Sequence, residues 1–394
     1  MLLKKSLIMA TIINTLSGQY ALVVKPVIDL LPQKMGAIYN NSNYYSRIPL
    51  SPVAKADLKT CPRVHQLLFN EIVKIVKVDN DEVVIEAPNI YYQTIDSDKK
   101  NNTFWTLKDN LIYIDKLDSN KLPKTENSNL ATLLFPFEDG VTNQTYSAGT
   151  NFVYSEIPDN TNEFNIYIFD PEALEFKESK VPKKFFITKD YVNEHTKQNR
   201  IANFVNILKK WANLKHGFIP YTWGGSSFCN TSNEKQFNCV DQTYEKNKIN
   251  YFEFADYQET PKAGFDCSGL IVSATRIAGI PFPFKNTTTI MKNLKQLAKN
   301  ETIAEGDLIW IPGHIIIITD LKHNLCVEAR GYINNGYGKV HELKLNQLFK
   351  NLNNFEDLKN AFFNKKIIQR LDSKGNVFEN ISNLKILKIE SCWK

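Results

Sequence analysis

Three features are scarce in this sequence, and each scarcity argues against a class of protein. No apolar run reaches the ~18 residues that a membrane-spanning helix requires, so we expect no membrane span in the mature chain. The 48 basic residues only slightly outnumber the 42 acidic ones and form no dense block, which argues against a nucleic-acid partner. The six cysteines and six histidines lack the close spacing of a zinc site, so no metal or other cofactor is expected.

What the chain does contain is typical of a globular protein. Its 394 residues are 43% apolar and 23% charged, and a chain of this length accommodates about two to four domains. Short β-branched runs such as EIVKIVKV alternate with polar turns over residues 53–117, and similar runs recur over 128–198. These patterns predict two small all-β domains. From residue 199 onward, helical and strand patterns are mixed, so the whole chain is predicted to be α+β.

The first 22 residues have the layout of an export leader. Lys4 and Lys5 precede a modest apolar stretch that small residues follow, which predicts a signal peptide over 1–22 and an exported, periplasmic or extracellular protein. A first strand or helix of the fold is the alternative, because polar residues interrupt the apolar stretch. Cys229 and Cys239 lie ten residues apart in loop-like sequence, a spacing that a disulfide could close in an oxidising compartment.

The stretch GFDCSG at 264–269 carries the strongest chemical signal. Apolar residues then recur at helical spacing until Gly279 and Pro281 end the run. Cys267 therefore lies in the first turn of a predicted helix, where unsatisfied N–H groups and the helix dipole favour a thiolate over a thiol. This placement predicts a nucleophile with a lowered thiol pKa. A small buried cysteine under a helix cap is the alternative, unless partner residues accompany Cys267.

Two candidate partners follow in the next strands. The stretch EGDLIWIPGHIIIITD at 305–320 predicts a turn, a strand, a second turn and an apolar strand that begins at His314. The following strand, LCVEARGY, places Glu328 within one strand pairing of His314, where a carboxylate could fix the tautomer of the imidazole. His323 is the rival for this role, but it lies in the polar turn DLKHN and is predicted to point to solvent.

These motifs, together with YTWGG at 221–225, resemble in kind and order those of the NlpC-type cell-wall cysteine peptidases. This papain-like family cleaves the stem peptides of bacterial peptidoglycan. The two β regions resemble the SH3-like barrels of the branch that cleaves γ-D-glutamyl-L-diamino acid bonds. The resemblance thus implies a papain-like catalytic domain over 199–394, preceded by SH3-like barrels over 53–117 and 128–198.

Carried over to this chain, the resemblance makes Cys267 the nucleophile, His314 the base and Glu328 the third residue, which orients the histidine. The family usually has histidine, asparagine or glutamine in the third position, so Glu328 is a departure that adds a charge. A second departure is the stretch of 39 residues at 226–264, where the family has a handful. We expect a long loop there that overhangs the cleft.

The resemblance also implies three pairs of substrate-binding residues, which are Tyr221 with Trp223, Asp266 with Ser268, and Glu71 with Trp105. The first pair matches the aromatic residues that line the family's cleft. The second pair matches positions that hold the free amino end of the substrate. The third pair are candidates from the first barrel, which walls off one end of the cleft. A surface strand residue and a barrel-core residue are the alternative interpretations of this third pair.

The implied function is hydrolysis of the γ-D-glutamyl-L-diamino acid (diaminopimelate) amide in peptidoglycan stem peptides or muropeptides, by a Cys-His thiolate mechanism. Two other classes stay open. One is an amidase or acyltransferase that uses the same Cys-His pair on another amide or on lipid. The other is an inactive protein that binds the cell wall, which the presence of both Cys267 and His314 disfavours.

Overall fold

A computed structural model describes residues 20–34, 63–93, 101–117, 129–158, 162–188, 195–229, 263–331 and 338–393. Within these ranges the chain is α+β, as the sequence pattern predicts, and it contains three five-stranded sheets. All three sheets are antiparallel. Two of them precede the first α-helix, and the third follows it.

The first sheet begins earlier in the chain than predicted. Its strand order is β7-β5-β4-β1-β8, so β1 pairs with a neighbour on each side. Residues 20–22, assigned to a leader from the sequence, belong to β1. The signal peptide stays a prediction. The preceding residues lie outside the described part of the chain. The strands of this region are β1 (Tyr20–Val23), β2 (Val27–Leu30), β3 (His65–Leu68), β4 (Ile72–Asp79), β5 (Glu82–Glu86), β6 (Tyr91–Tyr92), β7 (Thr103–Leu107) and β8 (Leu111–Tyr113).

The second sheet shows the period-2 alternation of a half-buried strand. In the stretch EFNIYIFD, Phe164, Ile166 and Ile168 are buried and the residues between them are half-buried. The strand order is β14-β13-β12-β9-β15. The strands of this region are β9 (Asn129–Leu133), β10 (Phe137–Asp139), β11 (Gln144–Tyr146), β12 (Asn151–Glu156), β13 (Glu163–Asp170), β14 (Glu175–Pro182) and β15 (Phe186–Thr188).

The C-terminal region combines helices with the third sheet, whose strand order is β22-β21-β20-β19-β25. Its elements are α1 (Lys197–Ala212), β16 (Ser226–Ser227), β17 (Gly264–Phe265), α2 (Cys267–Ala278), β18 (Phe284–Lys285), α3 (Thr287–Asn293), β19 (Leu308–Ile311), β20 (His314–Asp320), β21 (Leu325–Arg330), β22 (Lys339–Lys344), α4 (Leu345–Leu348), α5 (Phe355–Phe363), β23 (Ile368–Leu371), β24 (Val377–Ile381) and β25 (Lys385–Leu387). Single turns of 3-10 helix occupy Lys108–Asn110, Ile114–Lys116, Lys183–Phe185 and Ile389–Cys392.

Strand β20 is apolar without alternation because both faces of the third sheet are covered. Ile315 and Ile317 belong to a buried cluster with residues of α1 and α2. Ile316 and Ile318 belong to a second cluster with residues of α4 and α5. The first of these clusters also contains Val83 and other residues of the first sheet, so the first β region and the C-terminal region share one core.

No helix in the described part of the chain is long and apolar enough to cross a bilayer.

Candidate active site

Cys267 is the first residue of α2, where the sequence predicts it. Asp266 precedes it in extended conformation (φ −83°, ψ 173°), and its Oδ1 accepts the N–H of Gly269, which is the arrangement of a helix N-cap. The helix ends at Gly279, whose φ of 70° is left-handed and whose N–H donates to the carbonyl oxygen of Arg276. Local sequence thus determines both ends of the helix and holds Cys267 in its first turn.

The loop that carries YTWGG packs directly against this helix start. A Cβ at Gly269 would lie 1.9 Å from the carbonyl oxygen of Gly225, and a Cβ at Gly225 would lie 2.4 Å from that of Gly264. Side-chain carbons do not approach backbone oxygens so closely, so both positions require glycine. The glycines of the two motifs therefore allow the loop, β17 and α2 to meet.

The thiol of Cys267 is almost buried, with 7% of the residue exposed. Burial, followed by the negative charge of Asp266, raises the pKa of this thiol to about 12. Hydrogen bonds from the backbone N–H groups of Ile315 and Ser268 and the charge of Lys285 act in the opposite direction. The lowered pKa expected from the helix position is therefore wrong for the free protein, because burial outweighs the helix terminus. At neutral pH Cys267 is a thiol that needs a base.

His314 is the first residue of β20, and it opposes Ile311 across the turn from β19. The N–H of Ile315 reaches the sulfur of Cys267, so the start of β20 lies beside the start of α2. His314 Nε2 lies 2.7 Å from Glu328 Oε2. An ionised carboxylate only accepts hydrogen bonds, so Nε2 carries the proton and Nδ1 keeps its lone pair. This is the tautomer that a base needs.

The charge states of this pair follow from burial and from neighbouring charges. Burial lowers the pKa of His314 to about 4, and the positive charge of Arg370 adds to the shift, whereas Glu328 opposes it. Burial by itself would raise the pKa of Glu328, but hydrogen bonds from His314 and His341 and the charge of Arg330 hold it well below its usual range. At neutral pH the pair is therefore a neutral imidazole on an ionised carboxylate.

Glu328 is the centre of a buried polar cluster and is itself 1% exposed. Its Oε2 accepts from His314 and lies 3.4 Å from Arg370 Nη2. Its Oε1 lies 3.0 Å from His341 Nε2 and 3.7 Å from Arg330 Nη1. His341 is the residue directly opposite Glu328 on β22. One carboxylate thus holds two imidazoles and two guanidinium groups.

Sequence reasoning missed His341 and the two arginines. A strand such as LCVEAR commonly pairs with the strand that follows it in the chain. A search of that strand for a residue opposite Glu328 could have identified His341. Arg370 comes from β23, 42 residues after Glu328, and its local sequence carries no signal. His323 lies away from this cluster as predicted: its Nδ1 is 3.1 Å from Asp320 Oδ1, and its side chain is 60% exposed.

Asp266 and Ser268, which are predicted to hold a substrate amine, contact each other and a lysine of the same chain. Ser268 is buried, and its Oγ donates to Asp266 Oδ1 at 2.8 Å. The ammonium nitrogen of Lys285 lies 2.7 Å from Asp266 Oδ1 and 2.8 Å from Oδ2. Asp266 is therefore a helix cap and the partner of a lysine in the same chain, and Ser268 supports it. No sequence signal pointed to Lys285.

Tyr221 and Trp223 lie next to the chain segments that carry the site. Tyr221 forms a backbone bridge to Phe265, and its ring packs on Gly331, where an added Cβ would lie 3.0 Å from the ring. Trp223 packs, half-buried, against the core that contains α2, and its carbonyl oxygen accepts a hydrogen bond from Arg63 Nη1 at 3.0 Å. That these two side chains line a substrate cleft stays a prediction.

Glu71 connects the first β region to the far end of α2. Its Oε1 lies 2.6 Å from Arg276 Nη1. Arg276 follows Cys267 by nine residues, which is about 13 Å along a helix. These contacts join the first β region to α2, and a role of Glu71 in substrate binding stays a prediction.

Trp105 belongs to the first sheet. Its backbone exchanges hydrogen bonds with Leu31 at 2.9 and 3.0 Å, and Lys77 Nζ lies 5.9 Å above its ring. Trp105 is half-buried. A role in substrate binding stays a prediction.

The insertion at 226–264 begins and ends in paired strands, because β16 pairs with β17. Residues 230–262, including Cys239, lie outside the described residues, so the overhanging loop and the Cys229–Cys239 disulfide stay predictions.

In the part of the chain that the structure describes, no group of three His, Cys, Asp or Glu side chains is arranged to bind a metal ion.

No protein-family model matches the sequence, and no curated protein matches it. Among solved structures, the chain is similar to an NlpC/P60 family protein from Bacillus cereus, with a TM-score of 0.51 and 15% identity over 83% of this chain and 94% of that one. It also matches NlpC2 from Trichomonas vaginalis (TM-score 0.32, 13% identity, 83% and 94% covered). A third match is the peptidoglycan hydrolase RipB from Mycobacterium tuberculosis (TM-score 0.25, 23% identity, 39% and 64% covered).

The first of these similarities extends beyond the C-terminal region, because it covers 83% of a chain of which residues 199–394 are about half. The fold of this chain is thus similar to that of an NlpC/P60 family protein, β regions included.

Proposed function

We propose that this chain is a cysteine peptidase that cleaves the γ-D-glutamyl-L-diamino acid amide of peptidoglycan stem peptides. One observation carries the proposal: the sulfur of Cys267, at the start of α2, accepts a hydrogen bond from the N–H of Ile315, and Nε2 of the preceding residue, His314, is held by the buried carboxylate of Glu328. A thiol, a neutral base and a fixed tautomer are what nucleophilic cleavage of an amide requires. The four motifs of the sequence support the substrate class, and the fold similarity is consistent with it.

The chemistry follows from the atoms in place. His314 Nδ1 removes the proton of the Cys267 thiol as the sulfur attacks the scissile carbonyl carbon. The C–N bond then breaks, His314 returns the proton to the leaving amine, and a thioester joins the acyl part to the sulfur. His314 next deprotonates a water molecule that cleaves the thioester and releases the acid. In this proposal, backbone N–H groups at the start of α2 stabilise the oxyanion.

The resting pair differs from a preformed thiolate and imidazolium. Burial raises the pKa of the Cys267 thiol to about 12 and lowers that of His314 to about 4, and both shifts favour a proton on sulfur in the resting pair. The imidazolium forms only during the reaction. The ionised Glu328 then stabilises it, because an opposite charge within hydrogen-bond distance favours the charged form.

Export is part of this proposal, and the N-terminal Lys4, Lys5 and apolar stretch support it. The two β regions are assigned to the SH3-like class of the branch that cleaves this bond. Their similar make-up, a five-stranded antiparallel sheet in each, supports the assignment.

The test uses the purified full chain and the peptide L-Ala-γ-D-Glu-diaminopimelate, with products identified by mass spectrometry. Wild-type protein should release L-Ala-D-Glu and diaminopimelate. Cys267→Ala and His314→Ala should each lower turnover by about 10³-fold or more. Near wild-type turnover by Cys267→Ala would overturn the proposal.

Cys392→Ala is the matched control, because it removes a thiol from the last 3-10 turn of the chain and should leave the rate unchanged. Transfer of an acyl group to an acceptor other than water would favour the acyltransferase alternative. Binding of the peptide without cleavage would favour the inactive wall-binding protein.

A further inference from the structure

We infer that Lys285 determines specificity. Its buried ammonium pairs with the carboxylate of Asp266, the residue before Cys267, so the cleft does not select substrates by a free α-amine. The inference rests on the proposed function and deepens it. Peptides whose first amine is acylated by a small group such as acetyl should be accepted as readily as free peptides.

The carboxylate of Asp266 has little bonding capacity left. Its Oδ1 accepts from the N–H of Gly269, from Ser268 Oγ at 2.8 Å and from Lys285 Nζ at 2.7 Å. Its Oδ2 accepts from Lys285 Nζ at 2.8 Å. A carboxylate oxygen offers about two lone pairs, so Oδ1 is saturated. Only 13% of the Asp266 side chain stays exposed.

The ammonium of Lys285 is enclosed by this chain as well. Besides Asp266, Nζ lies 3.3 Å from Ser226 Oγ and 3.4 Å from the carbonyl oxygen of Gly225. The residue is 1% exposed. Because its donors point at acceptors of the chain, Lys285 is not placed to bind a substrate carboxylate. The pair as a whole presents no net charge to the cleft.

The first β region holds the lysine in position from its backbone. Strand β18 pairs in parallel with β6, so Lys285 lies opposite Tyr92. Two residues before the lysine, the carbonyl oxygen of Pro283 accepts a hydrogen bond from the N–H of Tyr91 at 2.8 Å. The neighbouring strand β6 therefore fixes the lysine main chain, and the lysine side chain reaches Asp266 from this paired strand.

The same region also fixes the acceptor beside the ammonium. His65 Nδ1 lies 2.8 Å from Ser226 Oγ, and Gln66 Oε1 accepts the N–H of Ser226 at 3.0 Å. His65 and Gln66 are buried, so this contact excludes solvent. The Asp266–Lys285 pair is thus built into the junction of the two regions.

A substrate ammonium at this place would meet a second ammonium and no unpaired carboxylate, and like charges at close range repel. Glu71, the other acidic candidate, is occupied by Arg276. An acylated, neutral nitrogen meets no such repulsion. The geometry therefore removes the basis for selecting a free amine.

The first experiment compares L-Ala-γ-D-Glu-diaminopimelate with its N-acetyl form on the wild-type protein. The two kcat/KM values should agree within about threefold, whereas a preference of about 100-fold for the free amine would overturn the inference. Calorimetric binding of both peptides to Cys267→Ala should show equally similar Kd values. If wild type cleaves neither peptide, the proposed function fails, while this binding comparison still decides the inference.

The second experiment removes the ammonium. Lys285→Met leaves Asp266 unpaired and should shift the kcat/KM ratio toward the free-amine peptide by about tenfold or more. An unchanged ratio in folded Lys285→Met would overturn the inference. If this variant does not fold, the double variant Lys285→Met with Asp266→Asn keeps a helix cap without charge. It should show the wild-type ratio, and a strong preference for the free amine would count against the inference.

Lys388→Met is the matched control. It breaks another buried lysine–aspartate pair, in which Lys388 Nζ lies 2.7 Å from Asp307 Oδ2. Asp307 precedes β19, whose other end opposes His314, so this pair is remote from the reacting residues. The control should lose stability and keep the wild-type ratio. A shift of equal size in the control would attribute the effect of Lys285→Met to loss of stability and overturn the inference.

Discussion

Two buried carboxylates adjoin the reacting residues, and they are neutralised in different ways. Asp266, beside Cys267, pairs with a single lysine and accepts its other hydrogen bonds from the first turn of α2. Glu328, beside His314, divides its oxygens among two imidazoles and two guanidinium groups. The first supports a helix, and the second holds the histidine that we propose as the base. Under the proposed mechanism the partner of each carboxylate, and not its burial, distinguishes their roles.

The two clusters also differ in what a substitution leaves behind. A simple ion pair can be replaced as a unit by neutral groups at little cost in stability. Removal of Glu328 instead leaves Arg330 and Arg370 buried without their shared carboxylate. The Glu328 cluster should therefore be the more sensitive of the two.

The largest expected effect is that of Glu328→Ala. It should lower kcat by about 10²- to 10³-fold, because His314 loses its orienting partner. It should also lower the free energy of unfolding by about 3–5 kcal/mol, because buried cations are left unpaired. Asp266→Asn keeps the helix cap, and Lys285, whose pKa burial already lowers, can lose its proton. The kcat of Asp266→Asn should therefore stay within about tenfold of the wild-type value.

Turnover and denaturant unfolding of both variants check this contrast. Glu342→Gln is the control for a carboxylate on the neighbouring strand, since Glu342 Oε1 accepts from Thr319 Oγ1 at 3.0 Å and lies outside the cluster. It should change kcat by less than about twofold. Equal losses of kcat in Asp266→Asn and Glu328→Ala would contradict the distinction between the two carboxylates.

An intermediate effect is expected from pH. The pKa of His314 is about 4 in the folded protein and 6.5 ordinarily, so the unfolded chain binds more protons between these values. The contribution of His314 to stability is complete above about pH 6.5 and is lost as pH falls toward about 4, to a maximum of about 3 kcal/mol. Unfolding free energies across this range should therefore fall with acid. His314→Gln should flatten that dependence, and an unchanged slope would contradict the assignment.

The smallest effect is expected at Glu71, a carboxylate that pairs outside both clusters. Glu71 and Arg276 have side chains 17% and 21% exposed, so Glu71→Gln should cost only about 0.5–1 kcal/mol of unfolding free energy. The KM for peptide should not change, because Glu71 touches the far end of α2. A tenfold or larger rise in KM would restore the substrate-binding role that the family resemblance implies.

Features set by neighbouring residues were predictable from the sequence. The start of α2 at Cys267 follows from the capping aspartate, and its end follows from Gly279. The turn of Pro312 and Gly313, followed by an apolar run, placed His314 at the start of a strand, and the next strand brought Glu328 to it. Each of these inferences needed only residues close together in the chain.

Features set by distant residues were not predictable in this way. Lys285 reaches Asp266 because β18 pairs with a strand almost 200 residues earlier. Arg370, which contacts Glu328, lies 42 residues later in the sequence, on β23, and α5 lies between the two residues in the chain. The direction of the Cys267 pKa shift depends on burial, which a helix pattern does not reveal. Tertiary packing thus decided the electrostatics, although local sequence decided where the reacting residues lie.

The parallel pairing of β6 with β18 limits how this chain can be truncated or recombined. A fragment that starts at residue 199 would lack the strand edge that supports Lys285 and the His65 and Gln66 side chains that contact Ser226. Such a fragment would expose buried polar groups next to the start of α2. The first β region is therefore not an exchangeable module, and gene fusions that swap it for another would have to rebuild its contacts with Ser226 and with β18.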